Sequence, residues 1–249
     1  MSAPYYQDHA VTLYHGDCRA WLTEQPGRSF DCVITDPPFD ERTHSMARSN
    51  KTGVVGNRIL TGTSSVRFER WDHPAQLALF GELGRITRRW VVSSLSTDTA
   101  FRFQVEQAPP GLRVLRIGAW VKTNPMPIIS ADRPAMGWEP LAFMHRVDVK
   151  PAWNGGGRAL NYVGPTAQGT GHPTSKPLPM VADWVRMFTN PGDLILDPCA
   201  GSGTTGRAAK DLGRRAVLWE EREDFCELTA LRLSDSVRSA PDTLFGGVA

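Results

Sequence analysis

The stretch that most limits how this chain can fold is LILDPCAGSGTTGRAAKDLGRRAVLWEE, residues 194–221. Its first apolar run reads as a buried strand ending at Asp197. A small-residue loop follows, and a helix opens at Thr204 and Thr205. A second apolar run at 216–219 leads to Glu220. Gly201, Gly203 and Gly206 satisfy the GxGxxG spacing of nucleotide-binding turns. Glycines there let a ligand lie against the backbone where a Cβ would clash. A carboxylate at Glu220 can accept hydrogen bonds from ribose hydroxyls. A tight strand-to-helix turn without a ligand is the competing reading. A dinucleotide fold needs a second mononucleotide half after the first. Only the tail 221–249 follows, so the other strands must come from earlier in the chain.

Those strands are expected at 11–15, 31–35, 90–95, 112–121, 140–146 and 193–196. A helix is expected to begin at 18–23, with others at 74–87, 177–189, 204–212 and 224–233. Strands alternating with helices argue for an α/β fold whose mostly parallel sheet is covered on both faces. Two stretches lose apolar periodicity. Residues 40–70 are rich in Ser, Thr, Asn, Gly and Arg and are expected to form a mobile loop. Residues 147–171 read as an insertion. The 249 residues otherwise suit a single domain.

Charged residues make up 22% and apolar ones 41%, as in an ordinary globular protein. The net charge of +2 permits nucleic-acid binding but does not argue for it without a local basic patch. Cys18, Cys32, Cys199 and Cys226 are scattered, with no CxxC pair. They read as reduced core thiols of a cytoplasmic protein, neither disulfides nor metal ligands. No apolar run approaches a membrane span in length.

The strand at 31–35 runs into Asp36-Pro37-Pro38-Phe39. Proline fixes φ and removes a donor, so this could simply end a strand and turn. Asp17 follows the first strand and could cap the next helix. Thr174 could cap the helix beyond it, and Lys176 could be only solvated.

Taken together, DPPF early in the chain and DPCAGSGTT late in it resemble the amino-group DNA methyltransferases. The order resembles their β class, in which the catalytic motif precedes the cofactor loop. YHGDC (14–18), WVKTNPMP (120–127), WEPLAF (138–143) and HPTSKPLPMVADWVRMFTNPGDLILDP (172–198) are similar to further family segments in a consistent order. The resemblance implies a Rossmann-like S-adenosyl-L-methionine-dependent fold with a circularly permuted motif order. It places Asp17, Thr174, Lys176, Asp197, Cys199, Gly201, Ser202, Gly203, Thr204 and Glu220 around that cofactor. Phe39 stands where tyrosine is commoner, and stacking needs only a ring. The insertion at 147–171 is short for target recognition.

The implied reaction moves a methyl group to an exocyclic amino nitrogen of a base in double-stranded DNA. That lone pair is delocalised into the ring. Acceptors on both N–H groups would free it: the Asp36 carboxylate and the Pro37 carbonyl, stiffened by Pro38. Phe39 would stack on a base flipped out of the duplex. In 41–70, Arg42, Arg48, Lys51, Arg58, Arg67 and Arg70 outnumber Glu41 and Glu69 and suit phosphate contacts. In the insertion, Lys150, Trp153, Asn154 and Arg158 could meet DNA, with Gly155–Gly157 keeping the tip pliable. Asp36 favours adenine N6 over cytosine N4, whose enzymes more often begin the tetrad with serine. An NAD-dependent oxidoreductase and an inactive DNA-binding module are the readings from other classes. A homodimer stays open.

Overall fold

The computed structural model describes residues 3–38, 54–55, 58–59, 71–125, 133–167 and 174–234. In chain order the strands are β1 (Tyr6–Gln7), β2 (Val11–His15), β3 (Phe30–Thr35), β4 (Val54–Val55), β5 (Arg58–Ile59), β6 (Thr87–Ser94), β7 (Leu112–Lys122), β8 (Trp138–Arg146), β9 (Tyr162–Gly164), β10 (Leu194–Asp197) and β11 (Arg215–Glu220). The helices are α1 (Cys18–Glu24), α2 (His73–Ile86), α3 (Thr97–Phe101), α4 (Leu178–Phe188), α5 (Thr204–Asp211) and α6 (Glu223–Ser234). A π turn, Arg102–Glu106, extends α3. Among these residues no helix is long and apolar enough to cross a membrane.

Nine strands form one sheet in the order β1-β2-β11-β10-β3-β6-β8-β7-β9. The five from β2 to β6 run parallel. β8 then pairs antiparallel with both β6 and β7. A parallel sheet must be covered on both faces, and its strands here send alternate residues to two cores. Cys32, Ile34, Ile195 and Leu218 join Met180, Trp184, Val185 and Phe188 of α4. Val33, Leu196 and Trp219 join Leu22 of α1 and Leu79, Phe80 and Leu83 of α2. The result is a three-layer α/β fold with a mostly parallel sheet.

Local signals account for the helix ends. Asp17 caps α1 by accepting from the Arg19 N–H at 2.8 Å. Asp72 caps α2 through the Ala75 N–H at 2.9 Å, with Pro74 in the first turn. α2 passes directly into β6 at Thr87, so that strand starts three residues before its apolar run. Arg88 and Arg89 disguised the start, because they reach sideways to Asp31 (2.6 Å) and Asp193 (2.8 Å).

The stretch 147–171, read as an insertion, is partly built into the sheet. It contains β9, which pairs in parallel with β7 at the sheet edge. Before it, residues 152–155 are strapped to the core. Ala152 O accepts from the Trp90 indole at 2.8 Å, and Asn154 Nδ2 donates to Thr189 O at 2.9 Å. Trp153 stacks on Phe188 with ring centroids 5.9 Å apart. A Cβ on Gly155 would come within 2.3 Å of that indole, so this glycine admits the ring instead of loosening the tip. Trp153, expected to face DNA, is half-buried against Phe188, and Asn154, exposed, ties the segment to the end of α4. Of 40–70, only the β4–β5 hairpin is described, and it places Arg58 opposite Val55.

Phe188 is the centre of this packing, within 4.9 Å of Trp90 and 5.5 Å of Phe143 as well. Phe188→Ala should cost about 3–5 kcal/mol in urea unfolding. A loss below about 1 kcal/mol would show that the strap and α4 are not anchored there.

Candidate active site

From β3 the chain reaches β6 on one side; from β10 it crosses through α5 to β11 on the other. The sheet's connectivity thus reverses between β3 and β10, and the crevice beyond their carboxyl ends is where such folds place ligands. Asp36 follows β3 there, and Asp197 closes β10. A cavity of about 640 Å³ opens between them, within the usual range for a small-molecule site.

One half of the cavity is the glycine loop. Gly201 and Gly203 have φ of 53° and 73°, in the left-handed region that glycine adopts without strain. Gly201, Ser202 and Thr204 line the cavity. Gly203 and Gly206 serve packing: a Cβ would come 2.5 Å from Thr229 and 2.6 Å from Leu218, respectively. The spacing alone could not separate the cavity-lining glycine from the packing ones. Glu220 is buried beneath the loop, accepting from Gly201 N at 2.7 Å and Arg222 N at 2.9 Å. Burial raises its carboxyl above the ordinary value despite those bonds. Asp17 lines the mouth while paired with Arg19 at 2.7 Å, so the capping role is realised.

Cys199 also lines the cavity, beside Cys18. Its hydrogen bond with the Cys18 thiol, together with burial, raises its pKa well above the ordinary value. A thiol so held is a poor nucleophile.

The other half carries the charges. Lys176 is buried and spans two carboxylates, with Nζ 2.5 Å from Asp36 Oδ2 and 3.1 Å from Glu139 Oε1. Lys122 reaches Glu139 Oε2 at 3.0 Å. Ser94 donates its hydroxyl to Glu139 Oε1. Burial works against the Lys176 ammonium, but the two carboxylates outweigh it and hold the lysine charged. Burial also opposes the Glu139 charge, yet both lysines keep its carboxyl down at about 2. Asp36 goes the other way: burial, aided by Glu139, pushes it up to about 6 against the pull of Lys176. Its Oδ1 is shielded and has no hydrogen-bond partner, although 27% of the side chain remains accessible. A buried acceptor without a donor is rare in a finished core.

A strap joins the halves. Ser175 meets the Ser202 hydroxyl, and Thr204 Oγ1 donates to Lys176 O at 3.4 Å. The segment holding Thr174, Ser175 and Lys176 thereby follows the glycine loop. The structure thus gathers Asp17, Asp36, Pro37, Pro38, Thr174, Lys176, Asp197, Cys199, Gly201, Ser202, Thr204 and Glu220 at one cavity. Lys176, expected beside the cofactor, makes ion pairs with Asp36 and Glu139. Phe39, Arg42, Arg48 and Lys51 lie outside the described residues. Lys150 and Arg158 are exposed on the 147–171 segment. Sequence reasoning missed Glu139 and Lys122 as site residues. The available signal was an acid inside the otherwise apolar run 138–144 and a lysine at the end of the partner strand.

A family model described as DNA methylase matches residues 30–231. Type II methyltransferase M2.DpnII of Streptococcus pneumoniae is 26% identical over 270 aligned residues, spanning 94% of this chain and 93% of the relative. Type II methyltransferase M2.LlaDCHI of Lactococcus lactis subsp. cremoris is 26% identical over 269, with the same shares covered. Among solved structures, the M1.HpyAVI–SAM complex superimposes with a TM-score of 0.65 at 21% identity, covering 90% of this chain and all of the other. PvuII DNA methyltransferase, described as cytosine-N4-specific, gives 0.70 at 16%, covering 94% and 89%. Both structural likenesses speak to the fold.

The cavity's electrostatics can be tested without any ligand. Burial pushes Asp197 up to about 7, beyond what its bonds from the Thr205 side chain and Cys199 N offset. The unfolded chain releases that proton near pH 4, while the folded chain keeps it until about 7. Stability should therefore fall as pH rises through this window. Urea midpoints at pH 5 and pH 7.5 should drop more for the wild type than for Asp197→Asn. Equal drops would contradict a raised Asp197.

Proposed function

The chain belongs to the DNA methylase family, and we propose that it methylates the N6 amino group of adenine in double-stranded DNA, using S-adenosylmethionine. The observation that carries this reading is Asp36: a carboxyl at the switch-point cavity, fixed through Oδ2 and without a donor on Oδ1. The similarity to Type II methyltransferases supports a site-specific DNA substrate.

The residues present suit the cofactor. The glycine loop provides a close backbone approach, Glu220 a carboxylate for ribose hydroxyls, and the remaining volume room for a nucleoside with its methionine arm. When bound there, S-adenosylmethionine supplies an electrophilic methyl group. The protein's own task is to make an amide-like nitrogen nucleophilic. The Asp36 carboxylate and the Pro37 carbonyl are suited to accept the two amino hydrogens and draw the lone pair out of the ring. Pro38 limits the freedom of that turn, so the acceptors need little reorganisation. As the nitrogen gains carbon it must lose a proton, and Asp36, with a carboxyl near pH 6, is the base nearest to hand. Pairing with Lys176 keeps Asp36 from being held fully protonated by its burial.

Adenine is preferred because an acid heads the tetrad. Phe39 would stack the flipped base. Arg42, Arg48, Lys51, Arg58, Lys150 and Arg158 are proposed to meet phosphates. The 147–171 segment is short, and part of it belongs to the core and sheet. Target reading therefore falls to few residues, or is shared with a second copy of the chain.

Purified protein should be incubated with S-adenosylmethionine and unmethylated genomic DNA, and the digested nucleosides identified by mass spectrometry. N6-methyladenine is the expected product. N4-methylcytosine would contradict the base assignment while keeping the chemistry. Absence of any methylated base would contradict the reading as a whole.

A further inference from the structure

Glu139 stands on β8, separated from the strand that carries the acceptor turn by β6, with Trp120 of β7 as its sheet neighbour. It does not touch Asp36 through any hydrogen bond of its own, yet it is the hub of the charges around it. Its two oxygens take three donors: Ser94 and Lys176 on Oε1, and Lys122 on Oε2. A buried carboxylate needs such pairing to stay ionised. Its number of donors contrasts with Asp36, which has Lys176 on one oxygen and nothing on the other.

Resting on the methyltransferase reading above, we propose that Glu139 is a positioning residue. It shares the Lys176 ammonium with Asp36, so that the Asp36 carboxylate is not fully neutralised inside the protein and keeps its capacity to accept a substrate amino hydrogen. An ammonium has three donors and no fixed fork. Without Glu139, the buried Lys176 would lean more fully on the Asp36 carboxylate. The acceptor would then be consumed inside the protein. Lys122 completes the arrangement by holding Glu139 from the opposite side, at 3.0 Å. The four residues alternate in sign along the chain Asp36–Lys176–Glu139–Lys122, so each substitution shifts its neighbours predictably.

The charged and titratable groups facing Asp36 come from four directions: Lys176 before α4, Glu139 on β8, Lys122 on β7, and Asp197 at the end of β10. Glu139 raises the Asp36 carboxyl and Lys122 lowers it. Removing one or the other should therefore move Asp36 in opposite directions. Asp36 must be ionised to accept, so methyl transfer should rise with pH through its pKa.

The test is single-turnover methylation of unmethylated DNA across pH 5–9 for the wild type, Glu139→Gln and Lys122→Gln, with S-adenosylmethionine affinity measured by calorimetry. Glu139→Gln should slow transfer at the pH plateau about tenfold or more, and its acidic limb should move to lower pH by about half a unit or more. Lys122→Gln should move the limb to higher pH. Affinity for S-adenosylmethionine should stay within about threefold for both. A merely structural role would not produce limb shifts of opposite sign. If the wild type methylates DNA and both variants keep its rate and its limb, the role of Glu139 is overturned while the functional reading stands. If Glu139→Gln does not fold, a Lys122→Gln limb that stays in place or moves to lower pH overturns it equally. A wild type that binds S-adenosylmethionine but transfers no methyl group at any pH overturns the functional reading, and this assignment with it.

Discussion

The site depends on one buried ammonium. Lys176 lies between Asp36 and Glu139, and these come from separate parts of the fold: the segment entering α4, the turn after β3, and strand β8. Burying a lysine alone would cost several kcal/mol. Two carboxylates offset that cost, and in doing so they fasten the acceptor turn to the antiparallel part of the sheet. The same segment is tied to the glycine loop through Ser175 and Thr204. One short stretch of chain therefore sets the distance between the acceptor and the cofactor half of the cavity.

The sheet makes this possible. Parallel strands deliver their following loops to one edge, and the reversal between β3 and β10 opens a crevice at that edge. Asp36 and Asp197 emerge beside each other there, and the Asp36 charge raises the Asp197 carboxyl. The like charges are tolerable because Lys176 stands against one of them, and the Thr205 side chain and Cys199 N bond the other. Such a pair stores a cost in the folded state that a positively charged or hydrogen-bonding ligand could relieve.

Much of this was legible in the sequence where local rules act alone. The run 194–221 folds as its pattern required, because strand, turn and helix there are set by apolar periodicity and two left-handed glycines. Asp17 at its cap and the strand leading to Asp36 are equally local. Long-range choices were not legible. Trp153 gives the same one-letter signal whether it faces DNA or Phe188, and only the fold brings α4 beneath it. Strand β9 has three residues, too few for a pattern. Lys176 was recognisable as a site residue, but its partner Glu139 is 37 residues away in a strand that reads as core. Gly203 and Gly206 look like ligand glycines by spacing and turn out to be packing glycines.

The most direct test of the account is to separate binding from chemistry at Asp36. S-adenosylmethionine affinity and single-turnover transfer to DNA should be measured side by side for the wild type and Asp36→Ala. The account predicts a cofactor dissociation constant within a few-fold of the wild type and transfer slower by about a thousandfold or more. Transfer at a near-normal rate in that variant would contradict it, because the carboxyl held by Lys176 would then have no part in the reaction.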